Sequence, residues 1–532
     1  MTDVRLLDKH NIRVCFALPA QAIESIAERG KLNMIDKPVD RPRKSRTRIS
    51  VPLLSEEYAA KALPRIFGTQ DMVAIMILAI FWISNSATAA GVGATAYVYW
   101  LIGGITFFIP CVIATAQLGS MFPQEGSLYN WTYQALGPYW SFFAGLCWWF
   151  PVPVILVSGA DTMVAYIQGL NPSWLVEPWQ QGLAVIIIIA ITALIALQRI
   201  HIVRNLLNVG AGFILLATLL LAIAGIKWLL SGHALATSFT HLSDWSINQT
   251  NVGQFSLVVL AYLGSCVPLN MGGEIAGEGH MKLRIITRHL LWGTLLIFVG
   301  YVIATFALLA IEGPSNVGTV FALIAAVDTS LGKLYGNITA ICIMGFFVIA
   351  LIMYNVSFAR LLFVGAIDQR IPSSVGRLNR QRVPANAILF QTGLALVFAA
   401  ILFLVGPYIF SFDKAINLAG DFYNVALALV SIVWALCTIF FYVSLLRLYF
   451  SDRQKFRQSL LFPMPIIWLI CLIGPLGCVA TIVDALFFSW TVTIANSLWT
   501  IIVGSLLAFC FLLVAIGSML ATSEAAWQKL SR

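Results

Sequence analysis

The sequence predicts an all-α polytopic membrane protein with twelve transmembrane helices, and three observations support this fold class. The chain of 532 residues is 60% hydrophobic and only 10% charged, whereas a soluble domain carries about 25% charged residues. Apolar stretches long enough to cross a bilayer, which takes about 20 residues, recur along the chain. Lysine and arginine residues gather in every second connection between these stretches. A soluble globular protein is therefore excluded.

Twelve apolar stretches are predicted to span the membrane. Their approximate bounds are 72–97, 99–121, 139–168, 180–198, 205–229, 253–277, 289–311, 334–365, 385–405, 415–445, 464–485 and 492–520. If the amino terminus is cytoplasmic, only Lys227, Lys333 and Lys414 of the 32 lysine and arginine residues lie on the outer side. By the positive-inside rule, we expect a multi-pass protein of the cell membrane with both termini in the cytoplasm.

The chain before the first span differs in composition from the rest. Residues 1–66 are expected to form a basic, poorly ordered cytoplasmic tail, followed by a membrane domain over residues 67–532. The basic run Arg41–Arg48 is explained by topology and by attraction to anionic membrane lipid. A regulatory or partner-binding role for this tail stays open at this stage.

Two of the predicted spans are interrupted near their midpoints by polar and glycine-rich segments. Ser84-Asn-Ser-Ala-Thr-Ala-Ala-Gly-Val-Gly93 interrupts the first span, and Gly264-Ser-Cys-Val-Pro-Leu-Asn-Met-Gly-Gly273 interrupts the sixth. Backbone that leaves the helix inside lipid exposes N–H and C=O groups that nothing there can satisfy. Paired breaks in matching positions of two halves are typical of a transporter's substrate site. The sequence therefore predicts a transporter.

Signatures of other chemistry are missing from the sequence. It contains neither a phosphate-binding loop nor a His-Glu-x-x-His motif. The nine cysteines show no disulfide or zinc spacing, and most lie inside apolar spans. We expect no cofactor and no metal. The net charge of +9 is explained by membrane topology, so no nucleic acid partner is expected.

Three stretches resemble the amino acid–polyamine–organocation superfamily of permeases. They are Gln117–Pro138 with its Phe-Pro and closing Leu-Gly-Pro, Ala261–Glu274 in the sixth span, and Ala359–Pro372 followed by Arg382-Val-Pro-Ala-Asn386. The resemblance covers roughly residues 67–520. It implies a 5+5 inverted repeat in which helices 1 and 6 are discontinuous. Repeat one would cover about 67–230 and repeat two about 253–445, with two extra helices, 11 and 12, over about 464–520.

The two interruptions supply the candidate substrate-binding residues. These are Ser84, Asn85, Ser86, Ala87 and Thr88 in the first span, and Tyr262, Gly264, Ser265 and Cys266 in the sixth. A half-helix that starts after Ala87 would present free N–H groups to a carboxylate. Carbonyl groups near Tyr262–Gly264 would suit an ammonium group. In the alternative interpretation, the hydroxyl groups bond back to their own helix.

Five charged residues are candidates for gating or ion coupling. Glu125, Glu274 and Arg360 lie at predicted cytoplasmic ends, where the resemblance implies an inner gate and the alternative is ordinary interfacial salt bridges. Asp161 and Asp421 lie inside apolar spans toward the outer leaflet. An ionisable group at such depth is costly and usually functional. An outer gate, a proton carrier and a residue wetted by the vestibule remain alternatives for both.

These observations predict a secondary active transporter that moves amino acids or related amines by alternating access. Proton coupling or exchange is favoured over sodium coupling. Because Ala87 and Val267 border the interruptions, a substrate with a neutral or apolar side chain is favoured. The alternatives are a transporter-derived sensor that signals through the basic tail, a channel, and, less favoured, a polytopic membrane enzyme. We expect no enzymatic activity.

Overall fold

The computed structural model describes residues 53–248, 251–317, 321–409, 415–491 and 493–530. In these ranges the regular elements are helices, and one isolated parallel bridge joins Phe67 to Ile275. The basic run Arg41–Arg48 lies outside the described residues. An all-helical fold is therefore confirmed for the described part of the chain.

Eleven helices in the described ranges are long and apolar enough to cross a membrane, and a pair of helices bent by 44° makes a twelfth candidate. In chain order we number them spans 1 to 12: Thr69–Ile80 with Ser84–Ala90, Thr95–Met121, Pro138–Leu170, Pro178–Ala196, Ile200–Leu230, Gln254–Glu274, His280–Ile311, Lys333–Ile367, Ala385–Tyr408, Asn424–Ser451, Met464–Phe487 and Asn496–Ser523. The prediction of a multi-pass membrane protein is confirmed. Shorter helices are Leu54–Ala62, Ser127–Leu136, Ala322–Leu331 and Arg453–Gln458.

The first span ends earlier than the sequence predicts. Residues 84–90, expected to be an interruption, are helical, and span 2 already begins at Thr95. The chain turns between them at Gly91–Ala94, where Gly93 has a φ of +67°. Only glycine adopts this conformation without strain. The expected bound near residue 97 is thus wrong, because these glycines form the turn between spans 1 and 2.

Burial differs strongly between the spans. Span 6 is 83% buried over its most apolar window, whereas span 12 is only 17% buried. A helix that is apolar on all sides is stable with either neighbouring helices or lipid around it. Span 6 therefore lies inside the bundle, and span 12 lies at its periphery.

One end of the bundle collects the chain segments that are rich in lysine and arginine, and we call it the basic face. Here Gln117 of span 2 bonds the carbonyl of Ser459 at 2.9 Å, next to span 11. Asp71 at the start of span 1 accepts a 2.6 Å hydrogen bond from Asn208 of span 5. These contacts join span 1 to span 5, and span 2 to the loop that precedes span 11.

Part of the expected tail packs on the basic face. Residues 53–67, which we call the strap, include the helix Leu54–Ala62. Leu53, Ala59 and Leu63 are buried, so one side of the strap faces the bundle. The remainder of the tail, residues 1–52, lies outside the described residues.

Candidate functional site

Span 1 loses its helical geometry at Phe81–Ile83. The helix Thr69–Ile80 stops there, and Ser84–Ala90 continues in a direction bent by 44°. Within the described residues, the backbone N–H groups of Ile83 and Ser84 have no acceptor. The break therefore leaves two backbone donors without a partner in this part of the chain, and one of these two residues, Ser84, lines a cavity.

Span 6 is interrupted at Leu263–Cys266. The helix Gln254–Tyr262 ends before it, and a 3₁₀ helix over Val267–Glu274 follows. Gly264 has a φ of +116°. A residue with a Cβ atom is strained in this conformation, so this position requires glycine. Pro268 follows in the first turn of the 3₁₀ helix and lacks an N–H group. Together they keep the middle of this span from forming a continuous α-helix.

The breaks of spans 1 and 6 contact each other. A Cβ atom added to Gly264 would lie 3.4 Å from Cγ1 of Ile80 and 3.7 Å from the carbonyl oxygen of Ala79. Tyr301 of span 7 joins both helix ends, because its hydroxyl group donates to the carbonyls of Ile80 at 2.7 Å and Ala261 at 3.2 Å. Buried carbonyl groups need such partners. The two breaks thus form one structural unit.

A cavity of about 70 Å³ lies beside the two breaks. Spans 1, 3, 6, 8 and 10 provide its lining residues, which are Ala79, Ile80, Trp82, Ser84, Asn85, Ile155, Ser158, Thr162, Leu260, Leu263, Tyr354, Leu427, Val430 and Trp434. By this measure a water molecule needs about 10–15 Å³. The cavity therefore has room for several waters or for the polar head of a small solute.

Three aromatic side chains form part of the cavity wall. Trp82 and Tyr354 pack edge to face with their ring centroids 6.1 Å apart, and Tyr354 stacks with Trp434 at 6.5 Å. Aromatic rings attract cations to their faces. None of the described lining residues carries a charge. The wall therefore suits an amine or an apolar group better than an anionic side chain.

Of the five candidates in span 1, two line the cavity. These are Ser84 and Asn85. Ser86 is fully buried, and its hydroxyl group has no partner among the described residues. Ala87 is also buried, whereas Thr88 is exposed.

The candidate side chains of span 6 point away from the cavity. Tyr262 is buried and donates a hydrogen bond to the carbonyl of Trp100 at 3.3 Å. The Ser265 hydroxyl lies 3.0 Å from that of Thr115 in span 2, and Cys266 is fully buried. Apart from Gly264, which touches the break of span 1, these residues pack against neighbouring spans. Span 6 contributes Leu260 and Leu263 to the cavity lining.

The cavity also contains polar residues that the sequence interpretation missed. Ser158 and Thr162 of span 3 both line it. Residues four positions apart lie on one face of a helix. The sequence pattern that could have identified them is this pair of hydroxyl residues, four positions apart in a largely apolar span. The aromatic residues Trp82 and Trp434 gave no comparable signal, because tryptophan is common in membrane helices.

Three gating candidates meet in a buried cluster on the basic face. Arg360 Nε donates to Glu274 Oε1 at 2.8 Å, and the two side chains are 1% and 0% exposed. Glu125 Oε2 accepts a 2.6 Å hydrogen bond from the backbone N–H of Gly273. Burial raises the pKa of Glu125 well above its ordinary value, and the negative charge of Glu274 raises it further. We call Glu125, Glu274 and Arg360 the basic-face cluster.

The strap covers this cluster on the basic face. Ser55 donates its N–H and its hydroxyl to the carboxylate of Asp368 at 3.0 and 2.9 Å. Phe67 N–H donates to the carbonyl of Glu274 at 3.1 Å, and Ala276 N–H donates to that of Phe67 at 2.9 Å. The strap thereby joins span 8 to the end of span 6, and the cluster beneath it has almost no contact with solvent.

The other two gating candidates are not part of the cluster. Asp161 is half-buried on span 3, three residues after Ser158, and does not line the cavity. Asp421 belongs to the helix Ala415–Ser451, but its side chain lies outside the described residues.

Comparison with known protein families shows to which family this helical bundle belongs. A family model described as amino acid permease matches residues 67–508. The chain belongs to the amino acid permease family. The match includes both breaks, the cavity and the basic-face cluster of this permease, and most of the strap lies before it.

Individual relatives agree with this family. The permease is similar to the inner membrane transporter YjeM of Escherichia coli (strain K12), with 21% identity over 412 residues, or 70% of this chain and 81% of that protein. It is 27% identical over 312 residues to the serine/threonine exchanger SteT of Bacillus subtilis (strain 168), covering 56% and 66% of the two chains. It is 25% identical over 167 residues to the probable agmatine/putrescine antiporter AguD of Lactococcus lactis subsp. lactis (strain IL1403), covering 30% and 34%. These names and the family indicate a transporter rather than an enzyme.

Proposed function

We propose that this permease is a secondary active transporter that moves amino acids or related amines across the membrane by alternating access. The observation that carries the proposal is the contact between the breaks of spans 1 and 6 beside a small cavity that Ser84, Asn85 and aromatic side chains line. Broken helices inside a membrane provide free backbone groups for a substrate at the point where two halves of a transporter meet.

The proposed architecture consists of two inverted repeats, spans 1–5 and 6–10, with spans 11 and 12 appended. It is supported by the position of the two breaks, each in the first span of a set of five. The basic face is cytoplasmic under the positive-inside rule, which gives a protein of the cell membrane with both termini inside.

The proposed substrate binds through its amino and carboxylate groups. The free N–H groups of Ile83 and Ser84 and the amide of Asn85 suit the carboxylate. The faces of Trp82 and Tyr354 suit the ammonium group. The names of the serine/threonine exchanger and of the agmatine/putrescine antiporter support substrates of this class. A neutral or apolar substrate side chain fits a wall in which the described residues carry no charge.

Alternating access requires the basic face to open. In this structure the strap, the Arg360–Glu274 ion pair and the Asp71–Asn208 hydrogen bond hold it closed. Substrate release to the cytoplasm therefore involves breaking these contacts as the inner parts of spans 1 and 6 move. We propose that the driving force is proton coupling or exchange.

Uptake by the purified permease in proteoliposomes tests this proposal. We expect saturable uptake, and exchange against internal substrate, for at least one labelled amino acid or amine. Gly264→Ala should abolish both, because its φ of +116° does not suit alanine. Gly212→Ala in span 5 is the matched control, because open space surrounds that position. It should transport like the wild-type protein.

Two results would contradict the proposal. One is a folded wild-type protein that neither takes up nor exchanges any amino acid or amine. The other is equal transport by the two alanine variants. The sensor interpretation is tested by removing residues 1–50, which leaves the strap intact. A carrier should keep its transport rate without them.

A further inference from the structure

The basic-face cluster contains more buried acid than buried base. Glu125 and Glu274 are 3% and 0% exposed. Among the described residues, the only cation within 4.0 Å of either carboxylate is Arg360, which pairs with Glu274. Two buried carboxylates beside one guanidinium group leave one negative charge unpaired. An unpaired buried charge is so costly that the group usually binds a proton instead.

The hydrogen bonds of the two carboxylates lead to the same conclusion. Glu125 Oε1 and Glu274 Oε2 are both buried and have no partner among the described residues. The other oxygen of each carboxylate is used, by Gly273 N–H and by Arg360 respectively. A buried ionised oxygen without a donor loses its hydration without compensation. A protonated carboxyl group needs fewer hydrogen-bond donors around it than a carboxylate, and its O–H group can itself donate one hydrogen bond.

We propose that the Glu125–Glu274 pair binds one proton while the basic face is closed, and that this pair is the proton-coupling site of the permease. The proposal rests on the proposed transport function and specifies its coupling ion. The raised pKa of Glu125 agrees with it. Because the two carboxyl groups interact, the proton belongs to the pair rather than to one residue.

Other charged groups around the pair change its proton affinity, but the nearby cations do not neutralise the second carboxylate. Arg360 of span 8 and Lys282 of span 7 both favour the ionised form of Glu125. Arg65 of the strap and Glu278, which pair with each other, lie near Lys282. Burial and the charge of Glu274 act in the opposite direction and dominate.

Proton release is linked to opening through the backbone of span 6. Glu125 is held by the N–H of Gly273, one residue before Glu274. When this part of span 6 moves away, the hydrogen bond breaks, the two carboxyl groups separate and water reaches both. The pair then loses its proton to water on the basic side. Neither covalent chemistry nor a further reactant is required.

Proton movement in proteoliposomes tests the site. Liposomes contain a trapped pH-sensitive dye, and labelled substrate is added outside. Wild-type permease should move protons together with substrate. Glu125→Gln should lose this proton movement and lose accumulation driven by a pH gradient. Glu57→Gln is the matched control because Glu57 is exposed and forms an ion pair with Lys61 at the surface. It should behave like the wild-type protein.

A second measurement does not depend on transport. The infrared spectrum of the wild-type protein with its basic face closed should contain the band of a protonated carboxylic acid, and Glu125→Gln and Glu274→Gln should each remove it. Wild-type transport without proton movement, or an unchanged band in both variants, overturns the proposal. If the wild-type protein moves no substrate at all, the transport function fails, and the infrared band alone decides whether the pair holds a proton.

Discussion

The hydroxyl group of Tyr354 donates a 2.6 Å hydrogen bond to the carbonyl oxygen of Ala79, which joins span 8 to span 1 just before the break of span 1. Tyr301 of span 7 does the same for Ile80. Ala79 and Ile80 are both buried in the bundle beside the cavity. The break in span 1 is therefore stabilised by side chains from distant spans rather than by its own sequence.

Tyr354→Phe should destabilise the protein and weaken transport. The substitution leaves the buried Ala79 carbonyl without its donor, which costs about 1–3 kcal/mol. Tyr335→Phe is the control on the same span, because the side chain of Tyr335 is exposed. Thermal unfolding in detergent measures both variants. An equal melting temperature for the two would show that the hydroxyl group of Tyr354 contributes nothing to the break.

The Arg360–Glu274 ion pair should respond to reversal of its charges. Arg360→Glu and Glu274→Arg should each abolish transport, because each buries an unpaired charge at a cost of about 3–5 kcal/mol. The double variant restores an ion pair and should recover part of the transport rate. Uptake assays at matched protein amounts measure this. A double variant as inactive as the single variants would argue against a gating pair.

The strap should loosen when its anchor on span 8 is removed. Asp368→Asn removes the charge that accepts two hydrogen bonds from Ser55. Hydrogen–deuterium exchange over residues 53–67 should become faster. Glu57→Gln breaks only an exposed ion pair with Lys61, which is worth little, and should leave the exchange unchanged. Slow exchange in both variants would show that Asp368 does not hold the strap.

The closed basic face should be favoured at low pH. Burial raises the pKa of Glu125 well above 4.5 in the closed state, and opening to water returns it toward that value. Protonation therefore stabilises the closed state fully below 4.5, and this stabilisation is lost as the pH rises through the raised pKa. Spin labels at Glu57→Cys and Met281→Cys, two exposed sites on the basic face, report the opening by their distance.

The matched variant makes the pH experiment specific. Glu125→Gln should remove most of the pH dependence of the spin-label distance. Within the described part of the chain the native cysteines interfere little, since seven of the eight are buried. A pH dependence that is the same with and without Glu125 would assign the titration to another group.

Much of the fold was predictable because lipid imposes simple rules. Long apolar stretches and the asymmetry of lysine and arginine predict the spans, and Gly264 with Pro268 predicts the interruption of span 6. The break in span 1 was harder to locate. Gly91 and Gly93 favour a break near them, yet they form the turn to span 2. The observed break at Phe81–Ile83 contains neither glycine nor proline.

The candidate site was predictable in part for the same reason. Ser84 and Asn85 follow the break and line the cavity, whereas Ser265 uses its hydroxyl group on span 2. A sequence does not reveal which way a side chain points from an irregular backbone. The carbonyl groups at the break of span 1 are satisfied by Tyr301 and Tyr354, far away along the chain. Only the packed structure reveals these partners.

An experimental structure of the permease with a transported amino acid bound tests the central claim most directly. We expect the ligand between the two breaks, with its carboxylate at hydrogen-bond distance from the N–H groups of Ile83 and Ser84 and its ammonium group facing Trp82 or Tyr354. A ligand bound elsewhere, or spans 1 and 6 running as continuous helices, would contradict the account.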